Sequence, residues 1–339
     1  MSNTALLGAY GDLANSGLNF RNLLINGNFD IWQRGGSLGP FTADAYVADR
    51  WRITKNDTVN FSVDLGVFGI GQTDVPNNPR YFHRLRLNAI GTAVEFVATS
   101  QRIEDVTRTS GQTLTLSFWA RADQALTINP AAGTNQGAIT INQNFGTGGS
   151  PSTAVNTIVQ QSQAITTTWT KYTYTFTVPS VSGKSLGTDA NSSYLQISIF
   201  PLVAGNAGRY IDIAQVQLEV GNTATPFERR PYALELALCQ RYCLVTTTNA
   251  PMYLVGQVDV SNTRSYFSIQ KSMRAAPTLS PTGVSYLFDS TGEVGLTNEN
   301  YTIMAADTTG FRFYVNRSKG SVNWVPIGIT FVGIISAEL

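Results

Sequence analysis

The sequence is short of the residues that most active-site chemistry needs. Its 339 residues include one histidine, His83, and two cysteines, Cys239 and Cys243. A Ser-His-Asp set would have to be built on His83 alone. A structural zinc site needs four ligands, and this supply falls short. His83 shares strand parity with Tyr81, Leu85 and Leu87, which places it inward as a hydrogen-bonded structural group. No G-x-S-x-G, phosphate loop or H-E-x-x-H occurs. Two cysteines make no disulfide framework. Four apart on a helix, their thiols share a face but aim poorly for a bridge, so they read as small buried hydrophobes.

Charge is scarce as well. Asp, Glu, Lys and Arg make up 13% of the chain, about half the usual share for a soluble domain. Formal net charge is +1, with no basic stripe, so nucleic-acid binding has no electrostatic footprint. No apolar run approaches the ~20 residues that span a bilayer. The opening 20 residues lack the charged start and apolar middle of a signal peptide. What the chain has is 42% hydrophobic residues, with much Thr, Ser, Asn, Gly and Tyr, the composition of an all-β extracellular or virion protein.

The length predicts about two domains. Apolar alternation runs through Phe61, Val63, Leu65 and Val67, then Leu114, Leu116 and Phe118. It returns in Tyr172, Tyr174, Phe176 and Val178, and in Leu195, Ile197 and Ile199. Gly, Pro, Asn and Ser clusters bound each run, which is how antiparallel strands are punctuated. The expected fold class is all-β: a jelly-roll-like antiparallel β-sandwich, a short helical hinge, and a second, smaller β-sandwich. Residues 1–20 are assigned to an extended N-terminal arm, either a disordered tail or a docking segment. Residues 21–225 are the first sandwich, 226–244 a linker with a short helix, and 245–339 the C-terminal, distal sandwich. Asn144 to Asn156, rich in Gly and Ser, reads as a long hairpin loop.

The stretch from Tyr210 to Cys243 organises the rest. Ile211 and Ile213 have odd parity, whereas Val216, Leu218 and Val220 have even parity. A regular strand would send the second set to the other face, so a β-bulge is expected at Ala214-Gln215. After Pro231 the period becomes helical, over Tyr232 to Cys243, with Leu234, Ala237, Leu238 and Tyr242 on one stripe. A helix this short needs packing partners, either its own chain or the same helix of neighbouring subunits. Leu234, Leu238 and Tyr242 are therefore the candidate oligomer or hinge contacts. Ile327 to Ile335 reads as a closing strand that is apolar on both faces.

Candidate chemistry is thin. Twenty-two carboxylates show no pairing of the kind glycoside hydrolysis needs, and no catalytic residues are assigned. Asp30 and Asp212 fall where the first and last strands of a jelly roll adjoin; similar-looking binding modules hold a structural calcium there. The alternative is two hydrogen-bonded or solvated strand-end acids, and no cofactor is assigned. Among the aromatic residues, Trp32, Trp51, Trp119 and Trp169 read mostly as packing. Trp324, in the distal domain, is the candidate glycan contact.

Four motifs carry a resemblance: NLLINGNFDIWQRG (Asn22 to Gly35), ADRWR (Ala48 to Arg52), GQTLTLSFWARAD (Gly111 to Asp123) and NFGTGGSPS (Asn144 to Ser152). With DIAQVQLE-G-ATPFE-RP and ELALCQRY in residues 212–242, they resemble, in order, a broad family of bacteriophage and prophage tail-fibre-type proteins. Met273 to Pro277 and the terminal Ser336 to Leu339 are similar to tail-fibre tip domains. The resemblance implies a non-enzymatic structural virion protein, a short tail fibre and homotrimer. It would be assembled in the host cytoplasm, anchored by residues 1–20 to other tail or capsid proteins, and bind a host-surface glycan through its distal domain. A capsid-attached head fibre or decoration protein is the alternative. A carbohydrate-binding module or sugar-cleaving tailspike is the further one.

Overall fold

The structure, a computed structural model, describes residues 21–339 except 57, 90–95, 131–135, 190, 247–251, 259–263, 271–272, 276, 282–284, 290–291, 297–300, 308–309, 317–326, 332 and 339. The expected arm and Trp324 lie outside the described residues. The chain divides into two compact units, Met1–Tyr232 and Ala233–Leu339. The division falls within the expected linker: residues 226–231 go with the first unit and nearly all of the helix with the second.

The first unit holds two six-stranded sheets. One runs in the order β1 (Ser37–Phe41), β4 (Asn60–Val67), β5 (Tyr81–Ala89), β14 (Tyr210–Val220), β7 (Thr113–Ala122) and β12 (Thr170–Thr177). The other runs β10 (Val155–Gln160), β9 (Ile139–Asn144), β13 (Tyr194–Val203), β6 (Phe96–Glu104), β3 (Arg52–Lys55) and β2 (Ala45–Tyr46). A two-stranded ribbon pairs β8 (Leu126–Ile128) with β11 (Gln163–Ile165). The chain crosses between the large sheets at β5 to β6 to β7 and again at β12 to β13 to β14, so the unit is a jelly-roll-like antiparallel sandwich.

Alternation builds the core. Leu114, Leu116 and Phe118 from one sheet and Leu195, Ile197 and Ile199 from the other belong to one buried apolar cluster. Phe118 meets Phe200 edge-on at 4.9 Å, an arrangement favoured by the ring quadrupole. The inward sets stop short of two residues the alternation includes: Val67 and Val220 are 61% and 60% exposed.

The bulge lies at the expected place. Ala214 pairs with Trp119, and the next β7 partner, Ser117, pairs with Gln217, so β14 carries one extra residue. Gln215 adopts φ of 50°. Ile211, Ile213, Val216 and Leu218 consequently all reach the same core. The long loop closes the β9–β10 hairpin. It is stapled to residues 185–192 by Thr147 Oγ1 donating to Asp189 at 2.9 Å and Gly187 N donating to the Phe145 carbonyl at 2.8 Å.

Residues 21–36 form no strand, which corrects the reading of this segment as a terminal jelly-roll strand. The segment instead clasps β14 at its bulge. Asn22 Nδ2 donates to the Val216 carbonyl at 3.0 Å, and Asn22 Oδ1 accepts from Leu218 N at 3.0 Å. Val216 N donates to the Gly27 carbonyl at 2.8 Å. Trp51, fully buried, donates its indole N–H to the Asn26 carbonyl at 2.9 Å. Asn26 Nδ2 reaches the carbonyls of Ile31 and Asp49. Arg230 closes the clasp from the other end of the unit by donating to the carbonyls of Leu24 and Asn22.

The second unit begins at the helix α1 (Tyr232–Gln240), shorter than the expected span to Cys243. Cys243 instead opens β15 (Cys243–Thr246). Its three-stranded sheet is β15, β24 (Gly333–Ser336) and β18 (Thr278–Pro281). A seven-stranded antiparallel sheet comprises β20 (Gly292–Leu296), β19 (Ser285–Asp289), β23 (Ile327–Phe331), β16 (Met252–Val258), β17 (Arg264–Gln270), β22 (Gly310–Asn316) and β21 (Tyr301–Asp307). The expected closing strand is thus two strands, each central in its own sheet. Both cysteines are buried and neither forms a disulfide.

Candidate functional site

The outward face of the β1–β12 sheet carries polar and aromatic side chains at the positions that alternate with the core. At its centre β5, β14 and β7 align Arg84, Asp212 and Arg121 in one cross-strand row. Asp212 is fully buried and accepts from Arg84 at 2.7 and 2.9 Å and from Arg121 at 3.0 Å. Two guanidiniums occupy its carboxylate, so Asp212 is not free to hold calcium. No group of three His, Cys, Asp or Glu among the described residues is placed to hold a metal ion. The guanidiniums also stack on rings, Arg84 over Tyr210 at 3.9 Å and Arg121 over Trp169 at 5.0 Å. Such contacts hold flat, charged side chains in fixed orientations.

The next row is apolar. Val75, Phe82, Trp169 and Ala214 form a small separate cluster, with Phe68 and Trp119 packed on it. Here the bulge acts. It turns Gln215 so that its Nε2 donates to the Pro76 carbonyl at 2.8 Å, tying the 68–80 loop to the sheet face. In that loop Asn77 and Asn78 both take positive φ, 63° and 45°, a conformation asparagine tolerates better than most residues.

On the other side the ATPFE segment folds back over β14. Glu219 accepts from Thr225 N at 2.8 Å and Thr225 Oγ1 at 2.7 Å. Gln217 Oε1 accepts from Glu228 N at 2.7 Å. Buried Gln217 and Glu219 are thereby satisfied, as buried polar groups must be.

Between these walls lies a cavity of about 360 Å³. Ser117, Trp119 and Gln215 form its floor, Asn77 stands at one wall, Phe227 at the other, and Lys171 at the rim. Its size is within the range of small-ligand sites. A half-buried indole beside an amide, a hydroxyl and an ammonium suits a sugar ring. C–H faces lie on the aromatic surface, and ring hydroxyls pair with the polar groups. Among the described residues, the lining carries no carboxylate.

A second cavity, of about 600 Å³, is lined by Asp30, Arg80, Tyr81, Arg229 and Tyr232, among others. Asp30 lies there, hydrogen-bonded to Asn28 Nδ2 at 2.8 Å. Burial pushes its carboxyl up, against the opposing pull of the Asn28 hydrogen bond and then of Arg229 and Arg80.

The other sequence candidates fall elsewhere. His83 is buried, its Nε2 3.0 Å from Thr99 Oγ1, and burial lowers its pKa to about 3. It is a neutral structural group. On α1 the buried residues are Glu235 and Cys239, with Tyr242 buried just beyond. Leu234 and Leu238 are half-buried and Ala237 exposed. Tyr242 N donates to the Cys239 carbonyl, and Ala337 N to the Tyr242 carbonyl at 2.7 Å. Arg274 Nε donates to the Ala337 carbonyl at 3.1 Å.

Trp119 is the residue that sequence reasoning passed over. Its signal was parity: if Phe118 is inward, Trp119 is outward. Asn77 and Lys171 carried no local signal and Gln215 only that of the bulge, because the register of three strands and one loop is what brings them together.

The first unit is therefore a jelly-roll-like β-sandwich with an aromatic-floored cleft on one sheet face. No family model and no curated protein matches the chain. Among solved structures, it is similar to the enzymatically active domain of tailspike protein 4 of bacteriophage CBA120. The identity is 15% and the TM-score 0.32, over 59% of this chain and 22% of that one. It is also similar to the family 11 carbohydrate-binding module from Clostridium thermocellum, with 12% identity and TM-score 0.31, over 56% of this chain and 97% of the module. The arabinose-bound α-L-arabinofuranosidase MgGH51 matches at 16% identity and TM-score 0.33, over 61% of this chain and 28% of that one. The chain thus spans less than a third of the tailspike and arabinofuranosidase chains it matches.

Proposed function

We propose that this protein is a non-enzymatic, fibre-type component of a phage particle whose first unit binds a glycan in the Trp119 cleft. The observation that carries the binding reading is the cleft itself. It has an aromatic floor and polar walls, and among the described residues that line it there is no carboxylate. The virion reading is supported by the resemblance of the motifs, three of which meet around one structural feature. NLLINGNFDIWQRG, ADRWR and AQVQLE-G-ATPFE-RP all contribute to the clasp around the β14 bulge. In this reading residues 1–20 dock on other tail or capsid proteins, the assembly is a homotrimer, and the placement is in the tail. A head fibre or decoration protein would use the same parts.

The test of binding is a glycan array probed with the full chain and with Trp119→Ala. Binding that Trp119→Ala abolishes, with the unfolding midpoint unchanged, is the expected result. An array on which the variant behaves like the parent would dispose of the cleft reading. Imaging virions with an antibody to residues 245–339 distinguishes tail from head placement.

A further inference from the structure

We propose that the second cavity binds an acidic sugar, with the ligand carboxylate on Arg80 and Arg229 and ring hydroxyls on Asp30. This rests on the glycan-binding reading of the Trp119 cleft, because the same two segments, residues 76–81 and 224–232, supply wall residues to both cavities.

Arg80 and Arg229 are exposed at the cavity. The Arg80 guanidinium lies over the Tyr81 ring at 5.0 Å, so part of the ordering cost of holding it is already met. Two guanidiniums match a carboxylate in both charge and planar geometry. Arg230, the third arginine, is committed to the carbonyls of Leu24 and Asn22 and builds the wall.

Asp30 decides the class of ligand. A bare anion would gain from the arginines but meet repulsion from a carboxylate on the same wall. A neutral sugar would satisfy Asp30 and leave the arginine charges unused. A sugar acid answers both, since its hydroxyls donate to Asp30 and its carboxylate accepts from the arginines. Tyr232, 62% exposed, adds an aromatic surface at the edge. A glycan long enough to cover both cavities would place a neutral ring on Trp119 and an acidic one here.

The experiment titrates the full-length chain with methyl glucuronide, methyl glucoside and inorganic sulfate, following chemical shifts of the protein. The glucuronide is expected to bind at least about tenfold tighter than the glucoside, a difference of about 1.4 kcal/mol. Arg80→Gln and Arg229→Gln should each remove most of that preference and leave glucoside binding alone. Asp30→Asn should weaken the glucuronide and strengthen sulfate. Both arginines are exposed, so the unfolding midpoints of their variants should match the parent. Equal affinity for the two glycosides would overturn the proposal. So would sulfate binding as tightly as the glucuronide, or a preference that survives both arginine variants. Failure of the cleft reading is a separate outcome, in which Trp119→Ala leaves neutral oligosaccharide binding intact.

Discussion

His83 is fully buried between Phe29 and Trp32, with ring centroids 5.3 and 6.1 Å away. Its pKa is lowered from 6.5 to about 3 by burial. The unfolded chain therefore takes up a proton below pH 6.5 that the folded chain refuses. Stability is fully present above that pH and is lost as pH falls toward 3, by up to about 1.4 kcal/mol per pH unit. Thermal unfolding of His83→Gln, which cannot titrate, should show a flatter pH dependence between pH 6 and pH 4. A slope equal to the parent's would mean the histidine is not held neutral. Gly27 is a second residue whose role is set by one contact. A Cβ there would stand 2.1 Å from the Val216 carbonyl oxygen, so backbone would have to move. Gly27→Ala is expected to cost about 1–3 kcal/mol, measured by denaturant unfolding.

Among the elements, β14 does the most. It lies between β5 and β7 in the sheet, and its bulge serves both faces of that sheet. Toward the core it restores the apolar set after the parity change. Toward solvent it sends Gln215 to the loop that walls the cleft. Deleting Gln215 would remove the extra residue and leave a regular alternation that keeps Ile211, Ile213, Val216 and Leu218 on the core face without a bulge. The deletion variant is therefore expected to fold but to lose glycan affinity with the Gln215–Pro76 tie, and Gln215→Ala should likewise fold and lose affinity through a loosened wall. Helix α1 is a contrasting case. Its buried residues are Glu235 and Cys239, followed by Tyr242, which leaves Leu234 and Leu238 only half-covered in the single chain. If this partly covered edge meets neighbouring subunits, Leu238→Asp should dissociate the oligomer, as read by solution mass. If it packs within its own chain, the same variant should lower the unfolding midpoint with the mass unchanged.

For the whole molecule, two compact units predict two unfolding events. Residues 21–232 enclose a complete apolar cluster and are expected to unfold cooperatively when expressed alone, with the Trp119 cleft intact. A fragment that binds no glycan while the full chain does would place the site elsewhere. Among the described residues no helix is long and apolar enough to cross a membrane. In the second unit Ile335 is buried within one chain and Ile334 is half-buried. The trimer proposal rests on the half-covered helix edge, the closing strand and the resemblance. A single-chain mass at micromolar concentration would remove it.

Sequence alone determined the elements whose signals are local. Strand runs follow from period-two alternation, and the bulge follows from a parity change that a pleated strand cannot absorb. The inward histidine follows from its neighbours on the same strand. The helix start was legible at Pro231, but its end was not. Whether Arg241 to Cys243 continue a helix or open a strand depends on pairing with β24, nearly 100 residues away. The clasp was legible as motifs but not as a structure, because its hydrogen bonds join Asn22 to Val216 and Leu218 across most of the first unit. The cleft was decided by tertiary structure alone. Trp119, Gln215, Lys171 and Asn77 come from three strands and a loop, and register, a property of paired strands, brings them to one place.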